Sequence, residues 1–375
     1  MNESYNETCD AYLPGPVPYL HFQILVHVLY PVIFIVSLLG NGLVCYVVYS
    51  SARMQTVTNF FIVNLAMGDL LMTVFCVPFS TIYILVLGFW PFGIIMCRAV
   101  SFCQAVSVFV SAYTLVAISF DRYIAIMWPL KPRMSKRQAK VIILGVWTVA
   151  SLIASPILFV TVLIQPEVAP WFIKCDKVIC IENWEEYGSL YSGMLMVLQY
   201  GIPLLVLLTT YTSIAIVVWG KRPPGEAENS RDQRMAKSKK KVIKMMMLIV
   251  VVFTSCWLPF NIFSIVRYHI ETLGDWFYAP YLWFALHWLA MSHTCYNSII
   301  YCWMNSRFRA GFSNVLHIFR KKYRQNRGNH STLQRINTST TYVSTRGDAP
   351  ASLKTIIADK NFKNKFPILE DEEEM

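Results

Sequence analysis

The run AISFDRYIAIMWPLKPR, Ala117–Arg133, closes a long apolar stretch on two adjacent opposite charges, Asp121 and Arg122, and passes at once into proline, lysine and arginine. A soluble core seldom needs that order. The surrounding composition supplies the setting. Of 375 residues, 55% are hydrophobic and only 15% charged, against about 25% charged in an ordinary soluble domain. The chain is built for lipid.

Crossing a bilayer takes about 20 helical residues, and seven apolar stretches are long enough: Ile24–Tyr49, Phe60–Leu87, Ile94–Met127, Val141–Ile164, Leu190–Trp219, Val242–Val266 and Tyr278–Met304. Strands of a membrane barrel would be about 10 residues of strict alternation. These stretches are far longer and continuously apolar, so the expected fold is an all-α membrane protein, a seven-transmembrane helix bundle.

Lysine and arginine stay preferentially on the cytoplasmic side of a membrane. One alternating set of segments carries Arg53, then Lys131, Arg133, Lys136, Arg137 and Lys140, then eight basic residues from Lys221 to Lys241 and seven from Arg307 to Arg327. The other set carries Lys174, Lys177 and, directly after the sixth span, Arg267. The N-terminus is therefore expected outside, in a multi-pass protein of the plasma membrane. The formal net charge of +11 reads as a basic cytoplasmic face beside anionic lipid rather than as a nucleic-acid surface. No basic segment precedes the first apolar stretch, which is too long for the core of a signal peptide, so no cleavable leader is expected. Asn2 and Asn6 open N-x-Ser/Thr sequons on the outer side, where glycosylation can reach them; the sequons at Asn329 and Asn337 fall inside.

The organisation expected is an outer tail over 1–23, the bundle over 24–304, an amphipathic helix over 305–322 and a disordered cytoplasmic tail over 323–375. Phe308, Phe312, Val315, Leu316 and Phe319 recur at helical spacing between Arg307, Arg309 and Arg320, the pattern of a helix lying on the inner leaflet. No cysteine follows it to carry a palmitoyl anchor. The tail is polar, rich in serine and threonine over "NTSTTYVST", and ends in "EDEEEM"; phosphorylation there would add about 1.5 to 2 negative charges per site. The third inner segment starts at Pro-Pro-Gly and ends in a basic run, which suggests a short turn and an inward extension of helix 6. Of ten cysteines, Cys45, Cys76, Cys103, Cys256, Cys295 and Cys302 lie within spans as small apolar residues. Cys9, Cys97, Cys175 and Cys180 face the oxidising side and allow three pairings, among which Cys97 with Cys180 comes first and Cys9 with Cys175 second.

An ionisable side chain near the bilayer centre costs about 3 kcal/mol, so each needs a reason. Asp69 lies near the middle of the second span, with Asn41, Ser111 and Asn297 at comparable depth on the first, third and seventh. In a ring of helices these four can share one hydrogen-bonded cluster around the carboxylate, with room for a sodium ion; the alternative is polar glue between helices. Asp121 and Arg122 sit where the third span reaches the cytoplasm. They can pair locally and leave the arginine free to find another partner in a second conformation, which is a switch geometry. The alternative is a snorkelling arginine.

Taken together, Gly40-Asn41, "NLAMGDL" around Asp69, Cys97, "DRY" from Asp121 to Tyr123, Trp147, Pro203 with Tyr211, "FTSCWLPF" around Trp257 and Pro259, and "NSIIY" from Asn297 to Tyr301 resemble a rhodopsin-like (class A) G-protein-coupled receptor, from the first span to the amphipathic helix. The resemblance implies that Arg122 is the cytoplasmic switch, that Trp257 and Pro259 serve the bending and packing of helix 6, and that Asn297, Tyr301 and Tyr211 belong to the same coupling apparatus. It also implies a heterotrimeric G protein as partner, with receptor kinase and arrestin reading the phosphorylatable tail. One residue departs from the pattern: Ser298 stands where the family has proline, which puts the usual kink of the seventh span in doubt.

The seventh span holds no lysine for a retinal Schiff base, and Gln104 stands where amine receptors carry an aspartate, so light and biogenic amines are disfavoured. The outer half offers Tyr83, Gln104, Gln199, Trp283 and His287, neutral hydrogen-bonding or aromatic groups that suit an amide and a ring. Glu182, Glu185, Glu186, Glu271 and Asp275 form a negative rim that would attract a basic ligand. A large, flexible, partly charged ligand matches best, and that means a peptide. Gln104, Gln199 and His287 match positions of the neuropeptide Y receptor group. The segments "VSVFVSAYTLVAISFDRYIAIMWPLKPRMSKR", "KRPPGEAENSRDQRMAKSKKK" and "WFALHWLAMSHTCYN" are similar to invertebrate RYamide (luqin-related) neuropeptide receptors, with partial likeness to leucokinin receptors. That implies a peptide ending in Arg-Tyr-amide, its guanidinium on an outer carboxylate and its amide near Gln104 and His287, with Gq-type calcium signalling. Receptors for other amidated peptides, of the neuropeptide F, kinin or tachykinin kinds, are the rivals. A transporter would show inverted repeats and several ionisable midplane groups, and a membrane enzyme a motif such as H-E-x-x-H or G-x-S-x-G; neither motif occurs. No catalytic residue, structural metal or cofactor beyond the sodium ion is expected.

Overall fold

The computed structural model describes residues 20–166, 170–184, 188–220, 230–270 and 276–317. Helix α1 spans Leu20–Ser50 and carries Pro31 within it. The second span is composite: α2 (Val57–Leu71), a wide π-helical turn over Met72–Cys76, α3 (Val77–Thr81) and a second wide turn over Ile82–Leu87. Thr56 starts it, its hydroxyl accepting from the Asn59 amide at 3.3 Å, and Gly88 stops it in the left-handed region at φ 71°, which a side chain would resist. The third span is α4 (Gly93–Met127). α5 (Lys136–Ala154) is entered through a capping box between Ser135 and Gln138, which satisfies two of the amides that every helix start leaves bare.

The fourth apolar stretch departs from expectation. It was read as helix through Ile164, but α5 ends at Ala154, Pro156 opens the short α6 (Ile157–Val160), and Thr161–Ile164 becomes strand β1. Proline cannot continue the ladder and β-branched Thr161, Val162 and Ile164 suit a strand. After α7 (Pro170–Lys174), β1 pairs antiparallel with β2 (Ile179–Glu182), with Leu163 opposite Cys180. The fifth span joins α8 (Gly188–Met196), a wide turn over Val197–Gly201 and α9 (Ile202–Gly220). α10 (Ser230–His269) is the sixth, and its inner extension runs down to Ser230. α11 (Ala279–Met304) is the seventh. Residues 306–317 form α12, whose start is capped by Asn305 Oδ1 accepting from the Arg307 amide at 3.0 Å.

Among the described residues, six helical segments are long and apolar enough to cross a membrane by length and composition. The 26-residue α11 falls short of that apolarity because it carries His287, Ser292, His293, Thr294, Asn297 and Ser298, all buried. Elsewhere the polarity is inverted relative to a soluble protein: Ile95 and Phe159 are nearly four-fifths exposed, whereas Asn41, Asp69 and Thr73 are fully enclosed. Lipid takes the place of water around such a bundle, and polar groups are affordable only inside it.

α12 covers the part of the expected amphipathic helix that is described; Phe319 and Arg320 lie outside the described residues. Much of its apolar face is turned to the bundle: Phe308, Phe312 and Val315 are buried in the main core, and Tyr301 stacks on Phe308 with ring centres 5.6 Å apart. Gly311 makes the approach to α1 feasible, since a Cβ there would lie 2.5 Å from Val47 Cγ1. Leu316 and the flanking Arg307 and Arg309 stay exposed.

Candidate functional site

Cys97 of α4 is disulfide-bonded to Cys180 of β2, with Cα atoms 5.8 Å apart, and Arg98 Nε donates to the Thr161 carbonyl at 3.2 Å. The hairpin is thereby fastened to the outer end of the third span. Cys175 is also disulfide-bonded; Cys9, its expected partner, lies outside the described residues, as do Asn2, Asn6, Glu185, Glu186, Glu271 and Asp275. Glu182 ends β2, its carboxylate accepting from Trp184 Nε1 at 2.9 Å, and Trp184 stacks on Tyr191 with ring centres 3.9 Å apart. The withdrawal of solvent by these neighbours pushes the Glu182 carboxyl above its usual range, and the indole bond opposes the shift.

Below the hairpin, Tyr83 meets Trp90 edge to face at 5.4 Å. The remaining ligand candidates fall into two groups. Gln199, on the wide turn of the fifth span, donates to the Ala105 carbonyl at 3.1 Å, one residue beyond half-buried Gln104. Trp283 and His287 stack in parallel at 4.6 Å, and His287 Nδ1 shares a 2.7 Å hydrogen bond with the Tyr30 hydroxyl of α1. Phe260 closes over both rings. Among the described residues no hydrogen bond or ring contact joins the two groups. Tyr30 and Phe260 were not foreseen: each is an aromatic in an apolar run, and nothing local distinguishes it from packing.

One layer deeper, Trp257 of α10 lies against Phe253, Phe260 and His293 at 6.5, 6.3 and 5.3 Å. Pro259 lies within α10, and Asn261 Nδ2 donates to the Trp257 carbonyl at 2.9 Å. Under that layer is Asp69. Its Oδ2 accepts from Asn297 Nδ2 at 2.8 Å and its Oδ1 from Ser111 Oγ at 3.5 Å. His293 Nε2 stands 3.6 Å from Oδ1, a contact that binds when one proton sits between the two atoms.

Asn41 does not touch the carboxylate, contrary to expectation. Its Nδ2 donates instead to the carbonyls of Thr294 and Ser37, at 2.8 and 3.1 Å, and to Ser37 Oγ at 3.1 Å. Ser37 Oγ shares a 2.6 Å bond with Thr73 Oγ1, which bonds the Asp69 carbonyl at the same distance. Asn41 is thus part of the network at one remove, because α1 reaches α2 and α11 there by backbone carbonyls. His293 was the residue missed, although an ionisable ring in a span was a signal. A second buried set ties Asn64 to Thr114 at 2.7 Å and to Trp147 Nε1 at 2.8 Å.

A sodium ion is a hard cation that favours oxygen lone pairs. Asn297 meets the Asp69 carboxylate through its amide hydrogens, Ser111 through its hydroxyl hydrogen and His293 through a ring nitrogen. The one buried oxygen here without a partner, Asn41 Oδ1, belongs to a side chain that does not reach Asp69. The donor set does not fit the ion.

At the cytoplasmic end, Arg122 pairs with Asp121 at 3.3 Å and hydrogen-bonds Thr58 Oγ1 of α2. Tyr123 meets Trp128 edge to face at 5.7 Å, and Lys131 sits 4.7 Å over the Trp128 ring. Tyr211 is buried, and so is Tyr301, whose hydroxyl has no hydrogen-bond partner among the described residues.

Residues 40–301 match the 7 transmembrane receptor (rhodopsin family) profile. The chain is 54% identical to the RYamide receptor of Drosophila melanogaster, an alignment covering 87% of this chain and 73% of that protein. With the RYamide receptor of Tribolium castaneum it shares 53% identity over 84% of this chain and 87% of that one. The tachykinin-like peptides receptor 86C of Drosophila melanogaster is 35% identical over 84% of this chain and 64% of its own length. A helical bundle with polar groups enclosed, apolar groups facing lipid and a family match across nearly all of it leaves one assignment: the chain is a multi-pass plasma-membrane receptor, not an enzyme, and belongs to the rhodopsin family of seven-transmembrane, G-protein-coupled receptors.

Proposed function

We propose that this receptor responds to an amidated neuropeptide of the RYamide type and signals through a heterotrimeric G protein to calcium, by Gq-type coupling. The observation that carries the ligand assignment is the gap in identity: 54 and 53% to two RYamide receptors against 35% to a tachykinin-like peptide receptor. The side chains of the outer half are compatible with it. Gln104 and Gln199 offer amide chemistry, Trp283 and His287 a stacked pair, and Glu182 a carboxylate for a guanidinium. Peptide bound there would favour a bundle state in which α10 moves outward at its cytoplasmic end, with Trp257 and Pro259 at the bend. Arg122 would exchange Asp121 and Thr58 for the G protein's C-terminal helix, promoting GDP release. Receptor kinase and arrestin would act on the tail, and Asn2 and Asn6 would carry glycans.

The test is a calcium reporter in cells expressing the chain, first with a promiscuous Gα and then with endogenous Gq blocked. Synthetic peptides ending in Arg-Tyr-amide should act at nanomolar concentration and lose potency as free acids, and the response should vanish with the Gq block. Tachykinin-like, kinin and neuropeptide F controls should be far weaker. A stronger response to a tachykinin-like control would replace the ligand assignment, and a response that survives the block would replace the coupling.

A further inference from the structure

The misfit between the Asp69 site and a hard cation has a structural cause in one residue. His293 is buried, and its Nδ1 donates to the Ala290 carbonyl at 2.6 Å, which fixes the ring and turns Nε2 to Asp69 Oδ1 at 3.6 Å. The centre of the same ring lies 5.3 Å from that of Trp257 and 5.8 Å from that of Phe253 on α10. Trp257 has ring contacts with Phe253, Phe260 and His293; the Asp69 carboxylate has Asn297, Ser111 and His293. Among the described residues only His293 belongs to both sets.

We propose that His293 takes the place of a sodium ion in this receptor: its imidazole fills the space beside the Asp69 carboxylate and joins that carboxylate directly to the Trp257 layer. A covalently held group cannot dissociate or be exchanged by salt. Displacement of the Trp257 ring therefore reaches Asp69, and with it Asn297 and Ser111 on two other helices, through one side chain in van der Waals and polar contact with both. His293 is a positioning residue acting between the two layers. The proposal rests on the receptor assignment and not on which peptide is the ligand.

Thermal melting of the purified full-length receptor without peptide tests it, with sodium chloride replaced by N-methylglucamine chloride at equal ionic strength. A ligand that binds only the folded state raises the melting temperature. The unaltered chain should melt at the same temperature in both salts. His293→Ser, which removes the ring and leaves a hydroxyl oxygen, should gain a sodium-dependent rise of about 2 °C or more, and Asp69→Asn added to it should abolish the rise. His293→Asn is the second variant, should serine fail to fold. A merely structural histidine would lower the melting temperature equally in both salts. Sodium stabilisation of the unaltered chain that Asp69→Asn removes would overturn the proposal, as would folded His293→Ser and His293→Asn proteins indifferent to sodium. Silence to every Arg-Tyr-amide peptide would instead overturn the ligand assignment and leave this measurement standing.

Discussion

Gly40 and Ser298 meet where α1 crosses α11, and there the departure from the family's proline has its packing consequence. Ser298 Oγ donates to the Cys295 carbonyl one turn back at 3.0 Å, a bond of the kind that bends a helix slightly. The side chain is then aimed at α1, where a Cβ built on Gly40 would lie 2.2 Å from Ser298 Oγ and 2.9 Å from Ser298 Cβ. Ser298 is buried and its Cβ is fixed by the α11 backbone, so rotating the hydroxyl would not relieve the contact. Gly40→Ala should therefore destabilise the bundle by about 1 to 3 kcal/mol, the usual cost of overpacking. Thermal unfolding in detergent reads the loss, and Ser298→Gly in the same chain should recover most of it. Gly42, two residues on, has nothing within 4 Å of the same virtual atom, so Gly42→Ala is the control and should be near neutral. Alanine is the better helix former, so a Gly40→Ala protein as stable as the Gly42→Ala control would show that the contact is not at stake.

At the scale of elements, the β1–β2 hairpin is held at both ends, by the Cys97–Cys180 bond and by Asn183, whose amide donates to the Val160 carbonyl at 2.9 Å. Glu182 is presented at its edge with a carboxyl shifted upward by desolvation. A carboxyl shifted upward gains its proton at a higher pH than an ordinary glutamate, so its negative charge is complete only well above that point and is lost as pH falls through it. If Glu182 receives a peptide guanidinium, potency should decline on acidification at a higher pH than an ordinary glutamate would give, and Glu182→Gln should lower potency at neutral pH while flattening the profile. A Glu182→Gln receptor that kept the full pH dependence would move the guanidinium to another carboxylate. This hairpin also marks where sequence patterning reached its limit. Continuous apolar runs of about 20 residues locate membrane helices well, and six spans were legible on that ground. The four residues Thr161–Ile164 continue such a run without a break in hydrophobicity, so only the pairing with Ile179–Glu182, formed through a distant disulfide, distinguishes strand from helix. The seventh span was legible on the same ground, as a long and mainly apolar stretch, although its enclosed polar residues leave it less apolar than the other six. Asp69, Asn297 and Ser111 were legible as one cluster by depth alone. His293 was not, since depth does not tell which way a side chain turns, and for the same reason depth could not show that Asn41 joins the network through Ser37 and Thr73.

Over the whole molecule, the distribution of charge decides which end faces the cell interior. Arg53, Lys131, Arg133, Lys136, Arg137, Lys140, Lys241 and Lys244 all fall at the end of the bundle that also holds the Asp121–Arg122 pair and α12, whereas the described basic residues of the hairpin end are Arg98, Lys174, Lys177 and Arg267. A cytoplasmic excess of lysine and arginine in short loops fixes orientation during insertion, and each such charge near an anionic leaflet contributes about 1 kcal/mol. The hairpin end also contains the disulfide, which persists only on the oxidising side. Two independent signals thus argue for the orientation we propose, with the N-terminus outside. An epitope fused ahead of Met1 should bind antibody on intact cells, and one fused after Met375 only after permeabilisation. The N-terminal sequons at Asn2 and Asn6 should make the chain run faster on gels after glycosidase treatment, a shift that Asn2→Gln with Asn6→Gln should remove. Antibody access to the C-terminal epitope on intact cells would reverse the orientation, and with it the assignment of Arg122 to the G-protein side and of His287 and Gln104 to the ligand side.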